Sequence, residues 1–122
     1  FQKRYDKTPV NMVAYIGTHD NDPFMGFFDK LSDEKKSDYV RVLDELGYEG
    51  KDVKEKMIGY CLGLNAKYAI ISIQDILGLG SEARLNKPAF IDDVNWTWRL
   101  KDYASFKENI SLLREKNKKY NR

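Results

Sequence analysis

The sequence predicts an α/β fold in which short apolar strands alternate with helices and form a parallel sheet. Residues 12–16 and 68–73 each have the length and composition of a buried strand. Each run is followed by a polar cluster, and residues with helical spacing follow both clusters. Parallel sheets are covered by helices and carry their functional residues past the carboxyl ends of the strands, so both polar clusters are candidate sites.

Composition and charge restrict the class of protein. The 122 residues suit one domain, and we expect residues 1–122 to belong to it because no repeat or linker divides them. Lys and Arg total 21 against 19 Asp and Glu, and a net charge of +2 does not favour nucleic acid or an anionic membrane as partner. A hydrophobic fraction of 42% argues against disorder. No apolar stretch reaches the roughly 18 residues of a membrane span.

Two features of the sequence predict the cellular environment of the chain. Cys61 is the single cysteine, so no internal disulfide can form, and no signal-peptide pattern follows Phe1. We therefore expect a reducing, cytoplasmic environment. Because Phe1 is not an initiator Met, we also expect a trimmed or partial chain.

The first half of the chain predicts a loop, a strand, a polar turn and two helices. Residues 1–11 are expected to form an entry loop, and the first strand ends at Gly17, ahead of the polar turn 18–23. Ser32 or Asp33 can cap the first helix, which Gly47 ends. The apolar positions of this helix recur at i, i+4 and i+7: Tyr39, Leu43 and Leu46. Residues 52 and 55, Asp and Glu, have capping-box spacing before a second helix whose apolar face is Val53, Met57, Ile58, Cys61 and Leu64.

The second half predicts another strand, a long irregular segment and a terminal helix. Residues 81–99 form an irregular connection that is longer than the connections usual in a compact domain, so we expect it to line a functional site. Ser105 and Glu108 have the spacing of a capping box for the terminal helix. The apolar side of that helix is Phe106, Ile110, Leu113, Asn117 and Tyr120, and its basic end is Lys116, Lys118 and Lys119. Two strands leave sheet edges open, so we expect another chain, or the remainder of a larger domain, to cover them.

The tetrapeptide 19–22 supplies an imidazole, two carboxylates and an amide. Alone, it is compatible with a metal site, an acid/base pair or a helix-capping turn. The sequence has no second His and no pair of Cys, so we expect no zinc or iron site. A hydrated Mg²⁺ or Ca²⁺ contact through Asp20 and Asp22 stays open. Cys61 lies on an apolar helix face, which favours core packing over nucleophilic catalysis.

The glycine-rich segment 77–84 matches neither phosphate-binding pattern, since it lacks the Gly-Lys-Ser/Thr ending and the third glycine. We expect Glu82 and Arg84 in this segment to form an ion pair or a loop clamp. Trp96 and Trp98 can stack on sugars or bases, but anchoring of the loop is an equally good interpretation.

Three segments, 13–22, 74–88 and 95–99, strongly resemble the C-terminal part of 4-α-glucanotransferases, also called amylomaltases or disproportionating enzymes. Their motifs are VAYIGTHDND, QDILGLGSEARLNKP and NWTWR, and their order and spacing match as well. The chain departs from the family pattern at a few positions. The family pattern has Thr at the position of Ile16, Thr at Pro23, Pro at Ile73, Met at Leu85, Thr at Lys87, Gly at Ala89, and Arg or Gln at Thr97.

The resemblance implies a (β/α)₈ TIM barrel, of which this chain would be the C-terminal two βα units plus the terminal helix, as a partial barrel. It implies a retaining transferase that moves α-1,4-glucan segments between maltooligosaccharides without a cofactor. Asp20 matches the family carboxylate that binds the sugar at the cleavage site, and His19 matches the imidazole beside it. The resemblance places the nucleophile and the acid/base upstream, so the chain alone is expected to be inactive. Further candidates for substrate contact or support are Asn21, Gln74, Asp75, Asn86 and Pro88. The alternative is a stand-alone carbohydrate-binding or assembly module without catalysis.

Overall fold

A computed structural model describes residues 8–122 of the chain. The predicted entry loop, 1–11, lies outside the described residues as far as residue 7. In chain order the elements are β1 (Val13–Tyr15), α1 (Phe24–Asp29), α2 (Asp33–Glu45), α3 (Val53–Gly63), β2 (Tyr68–Ile70), α4 (Ile73–Leu77), a 3₁₀ turn (Ser81–Ala83) and α5 (Ala104–Lys119). Among these described residues, none of the helices combines the length and apolarity that a bilayer crossing requires.

The sheet consists of β1 and β2, which run parallel as predicted. Ala14 pairs with Ala69 at the centre of the register. The strands are shorter than predicted, and among the described residues their side chains are buried only in part. Ala14 is buried, but Tyr15 and Ile70 are 49% and 52% exposed. The reason is that α3 packs against one face only, where Ala14 contacts Cys61 and Ala66 in a small apolar cluster.

Helices α2 and α3 follow the predicted caps and pack against each other. The Ser32 hydroxyl accepts a hydrogen bond from the backbone N–H of Lys35, and Asp52 Oδ1 accepts one from the N–H of Glu55 at 2.8 Å. The Glu55 carboxylate accepts from the N–H of Lys51 rather than from that of Asp52, so the capping box is displaced by one residue. The largest fully buried side chains of the described residues are Leu43, Ile58 and Cys61.

Two short helices, α1 and α4, were not predicted from the sequence: α1 follows the predicted turn 18–23, and α4 begins at the last residue of the predicted second strand. Helix α1 follows Pro23, which offers no side-chain cap, and the Asp75 carboxylate of α4 instead accepts a hydrogen bond from the N–H of Phe24 at 2.7 Å. Helix α4 begins at Ile73, where a strand was predicted, because the Ser72 hydroxyl accepts a hydrogen bond from the N–H of Asp75 at 3.1 Å. A long-range cap and a local cap therefore determine these two starts.

The start of α5 differs from the prediction. The cap is not Ser105 with Glu108, because Asp102 Oδ1 accepts hydrogen bonds from the N–H groups of Ala104 and Ser105 at 2.8 and 3.3 Å. The predicted apolar side of α5 is half-buried. Past its end, the Arg122 guanidinium donates hydrogen bonds to backbone carbonyls in the last turn of α3 and in the segment that follows it: those of Leu62, Leu64 and Ala66. Helix α5 is thereby tied to the segment that enters the second strand.

Candidate functional site

A cleft of about 560 Å³ opens beyond the carboxyl ends of β1 and β2. The turn 17–23 forms one wall, and residues of α4 and of the segment after the 3₁₀ turn form the other. The structure therefore brings the two predicted polar clusters together. This follows from the parallel pairing, because equivalent ends of parallel strands lie at the same edge of a sheet.

The turn after β1 is closed by Asn21. Its side-chain oxygen accepts hydrogen bonds from the backbone N–H and from the hydroxyl of Thr18, both at 2.9 Å. These hydrogen bonds join the two ends of the turn and so restrict the backbone on both sides of Asp20. Of the two roles predicted for Asn21, support of the turn is therefore the one that the geometry favours.

Asp20 is oriented from the opposite wall of the cleft. Its Oδ1 accepts a hydrogen bond from Asn86 Nδ2 at 2.7 Å, and its backbone oxygen accepts one from Arg84 Nη2 at 2.6 Å. The Asp20 side chain nevertheless stays 46% exposed. The second carboxylate oxygen is thus available to a ligand while the first is fixed in the protein.

His19 adjoins this carboxylate at the mouth of the cleft. Its Nε2 lies 3.4 Å from Asp20 Oδ1, and its side chain is 55% exposed. The ring of Trp96 lies beside the imidazole, with 5.2 Å between the ring centroids and 38° between the planes. An imidazole donor and a free carboxylate oxygen at one edge can bind neighbouring hydroxyl groups of the same ligand.

The other carboxylate of the tetrapeptide, Asp22, is used inside the protein. It accepts hydrogen bonds from Lys30 Nζ at 2.6 Å and from Arg84 Nη1 at 3.3 Å, and its side chain is only 14% exposed. Burial alone would raise the pKa of Asp22, but the hydrogen bond and charge of Lys30, with the charge of Arg84, lower it below the usual value. Asp22 is therefore an ionised anchor for Arg84.

Arg84 acts as the loop clamp that the sequence predicts, but not as a partner of Glu82. The Glu82 carboxylate accepts a hydrogen bond from the N–H of Gly80 at 2.9 Å. Arg84 instead reaches Asp20, Asp22 and, through Nε, the backbone oxygen of Asn86 at 2.8 Å. Sequence reasoning could not choose Asp20 and Asp22 as partners, because they lie more than sixty residues away along the chain.

The remaining predicted site residues occupy different positions. Gln74 is 5% exposed and donates a hydrogen bond to the Ala83 oxygen at 3.4 Å, and it lines the base of the cleft. Asp75 is 3% exposed, with its two oxygens bound to Phe24 N–H and to the Ser72 hydroxyl, so the geometry favours support over ligand contact. Pro88 is exposed and does not line the cleft.

The segment 85–97 forms a compact loop at the rim of the cleft. Asn95 closes it, accepting from the N–H of Lys87 at 2.9 Å and donating to the Phe90 oxygen at 2.9 Å. At its base the N–H of Trp96 bonds the Leu85 oxygen at 2.7 Å, with a φ of +66° at Trp96. Trp96 is 55% exposed, so the loop presents an aromatic face beside His19 rather than burying it.

Neither metal ligation nor thiol chemistry finds support in residues 8–122. No group of three or more His, Cys, Asp or Glu side chains there is arranged to bind a metal ion. Cys61 is 1% exposed, which confirms its predicted place in the core, and burial raises the pKa of its thiol to about 11. A thiol of that pKa is protonated at neutral pH and is a poor nucleophile.

Comparisons with known proteins match this chain to one family. A family model described as 4-alpha-glucanotransferase matches residues 2–105. The chain is 44% identical over 97 residues to the chloroplastic/amyloplastic 4-alpha-glucanotransferase of Arabidopsis thaliana, covering 80% of this chain and 16% of that protein. It is 43% identical over 106 residues to the 4-alpha-glucanotransferase of Aquifex aeolicus, covering 84% of this chain and 21% of that protein.

A solved structure resembles the chain in three dimensions as well. The amylomaltase from Streptococcus agalactiae, in complex with acarbose, superposes with a TM-score of 0.82 at 27% sequence identity. The match covers 96% of this chain and 23% of the amylomaltase. The chain therefore spans less than a quarter of the length of these relatives.

Proposed function

The chain belongs to the 4-alpha-glucanotransferase family, and on that premise we propose that it is the C-terminal part of a (β/α)₈ enzyme that transfers α-1,4-glucan segments between maltooligosaccharides. The observation that carries this proposal is the cleft at the carboxyl ends of β1 and β2, where Asp20 presents an oriented, half-exposed carboxylate beside His19. Barrel enzymes carry their active sites at this end of their strands.

Asp20 and His19 have complementary parts in the proposed reaction. Cleavage of a glycosidic bond passes through an oxocarbenium-like transition state, in which the sugar ring gains positive charge and flattens. A carboxylate fixed in advance by Asn86 stabilises that charge without reorganising, and the imidazole of His19 binds a hydroxyl of the same ring. These contacts favour the transition state over the ground state, so they act mainly on kcat.

The retaining reaction that we propose needs two further carboxyl groups, one as nucleophile and one as acid/base, about 5 Å apart across the scissile bond. Of the other Asp side chains at the cleft, Asp22 is paired with two cations and Asp75 is buried with both oxygens bound. We therefore propose that both groups come from outside residues 8–122. The isolated chain should then fail to convert maltotriose.

Product analysis of the full-length protein that carries this segment tests the proposal. With maltotriose alone, we expect glucose together with maltooligosaccharides longer than the substrate, separated by thin-layer chromatography. Asp20→Asn keeps the side-chain size and removes the charge, and it should lower kcat by at least about 10²-fold with a smaller change in KM. Asp33→Asn, at the exposed first residue of α2, is the matched control and should leave both constants unchanged.

Three outcomes would count against the proposal. Transfer by the isolated chain of verified mass would show that the missing carboxyl groups are not needed. Near-normal turnover of Asp20→Asn would leave the turn at residues 18–22 with a structural role only. Binding of maltooligosaccharides without any transfer by the full-length protein would favour a carbohydrate-binding module.

A cytoplasmic location is likewise our proposal, and cell fractionation tests it.

A further inference from the structure

We propose that Arg84 is a positioning residue for Asp20, which it serves by fixing the backbone of the turn and the backbone of Asn86 at the same time. This inference rests on the proposed function, because it assigns Arg84 a part in the same reaction. Arg84 does not need to touch the glucan in this role. It links the turn after β1 to the segment after the 3₁₀ turn, so that the carboxylate of one meets the amide of the other.

All three nitrogens of the guanidinium have separate acceptors. Nε donates to the Asn86 oxygen at 2.8 Å, Nη1 to Asp22 Oδ1 at 3.3 Å and Nη2 to the Asp20 oxygen at 2.6 Å. The acceptors lie on both walls of the cleft, and the Arg84 side chain is 24% exposed. A planar guanidinium can meet several acceptors in fixed directions, which the single ammonium of Lys cannot do.

The consequence for Asp20 follows from the distances. Arg84 bonds the backbone oxygen of Asp20 and the backbone oxygen of Asn86, the same two residues whose side chains meet at 2.7 Å. The guanidinium therefore sets the separation of the two backbones, and the Asn86 amide uses that separation to bind Asp20 Oδ1. Without the guanidinium, the Asn86 amide and the carboxylate would both keep their chemistry but lose their alignment.

A double-mutant cycle in the full-length protein distinguishes positioning from direct contact or simple support of the fold. Arg84→Lys should lower kcat for maltotriose by about 10-fold or more, with KM changed less than about threefold, because a displaced carboxylate stabilises the transition state less. In an Asp20→Ala background, Arg84→Lys should lower the residual kcat by less than about threefold, since no carboxylate is left to align. The matched control is Arg41→Lys, since Arg41 is an exposed arginine of α2 that bonds the side chains of Asp38 and Glu45 and lies outside the cleft. It should leave kcat and KM unchanged.

A second variant keeps the test decisive if Arg84→Lys does not fold. Asn86→Ala removes only the amide that binds the carboxylate, and it should give the same kcat loss and the same non-additivity with Asp20→Ala. Equal losses in both backgrounds would overturn the proposal, and so would a rise in KM with unchanged kcat, because Arg84 would then act on the fold or on the glucan.

A crystal structure of the Arg84→Lys protein supplies a readout that does not depend on activity. We expect Asp20 Oδ1 to lie beyond hydrogen-bond distance of Asn86 Nδ2, more than about 3.5 Å away. An unchanged contact would overturn the positioning role even if the wild-type protein proved inactive. Inactivity of the wild type with a lost contact would instead refute the proposed function and leave the alignment by Arg84 established.

Discussion

Asp75→Ala should lower the free energy of unfolding by about 3 kcal/mol, because the buried carboxylate of Asp75 accepts hydrogen bonds from two different segments of the fold. Its Oδ1 accepts a hydrogen bond from the N–H of Phe24 at 2.7 Å, and its Oδ2 accepts one from the Ser72 hydroxyl at 2.8 Å. Phe24 opens α1 after Pro23, which has no side chain able to cap the helix. The substitution therefore leaves a buried N–H at a helix start without its acceptor.

The magnitude follows from the surroundings of each group. A hydrogen bond to a charged partner contributes about 1.5–3 kcal/mol, and the orphaned Phe24 N–H, in a residue only 7% exposed, cannot turn to water. The Ser72 hydroxyl is half-buried and can rotate to another acceptor, so its loss costs less. The substitution also removes the free-energy cost of burying the carboxylate, which offsets part of the stability lost with the two hydrogen bonds. Asp75→Asn retains an acceptor for Phe24 and should cost only about 1 kcal/mol.

Urea unfolding followed by circular dichroism measures these differences. Asp52→Ala is the matched control, since Asp52 also accepts a backbone N–H at a helix start, but in an exposed position. That cap should be worth about 1 kcal/mol. If Asp75→Ala destabilised the chain no more than Asp52→Ala does, the cap from Asp75 to α1 would be energetically unimportant, and our account of how α1 forms would be wrong.

Three further predictions concern the core and two backbone positions. Burial raises the pKa of the Cys61 thiol from its usual 9.0 to about 11, so the free energy of unfolding should be highest below pH 9 and decline between pH 9 and 11. Cys61→Ala should lack this decline in calorimetric scans. Ala89→Gly should raise the urea midpoint by the equivalent of about 0.5–1 kcal/mol, because Ala89 has a φ of +66°, and a lowered midpoint would contradict this. Gly26→Ala should cost about 2–3 kcal/mol or more in thermal unfolding, since its Cβ would lie 2.5 Å from the backbone nitrogen of Ser81. Gly59→Ala is its control, as the nearest atom there is the Tyr120 hydroxyl at 3.2 Å, and a similar cost for both would argue against the steric explanation.

The sequence could predict those parts of the fold that local chemistry determines. The starts of α2 and α3 follow from Ser32 and Asp52, whose side chains act within three residues, and the parallel pairing follows from the apolar runs and the helices between them. The extra length predicted for the second strand was wrong at Ile73 because Ser72 and Asp75 cap a helix there. A Ser followed by Asp three residues later was the signal that could have revealed it.

Other features depend on contacts between distant residues. Helix α1 lacks a local cap, and its acceptor on α4 is 51 residues away. The prediction that Ser105 caps α5 was wrong because the helix already begins at Ala104, where Asp102 accepts hydrogen bonds from the N–H groups of Ala104 and Ser105. At the cleft, the family resemblance predicts roles for Asp20 and His19, while the contacts of Arg84 with Asp20 and Asp22 became visible only when both loops were placed in space.

The contacts between the two walls of the cleft also have a consequence for the order in which the chain folds. Arg84 and Asn86 join Asp22 and Asp20 across 62 and 66 residues, whereas α2 and α3 are neighbours in the chain and can pair early. Bringing residues so far apart in the chain together costs conformational entropy, and this cost is offset only when most of the other contacts have formed. The carboxylate at residue 20 should therefore acquire its alignment among the last folding events. A partly folded molecule would then lack the aligned carboxylate, so binding of any ligand that needs this carboxylate would indicate complete folding.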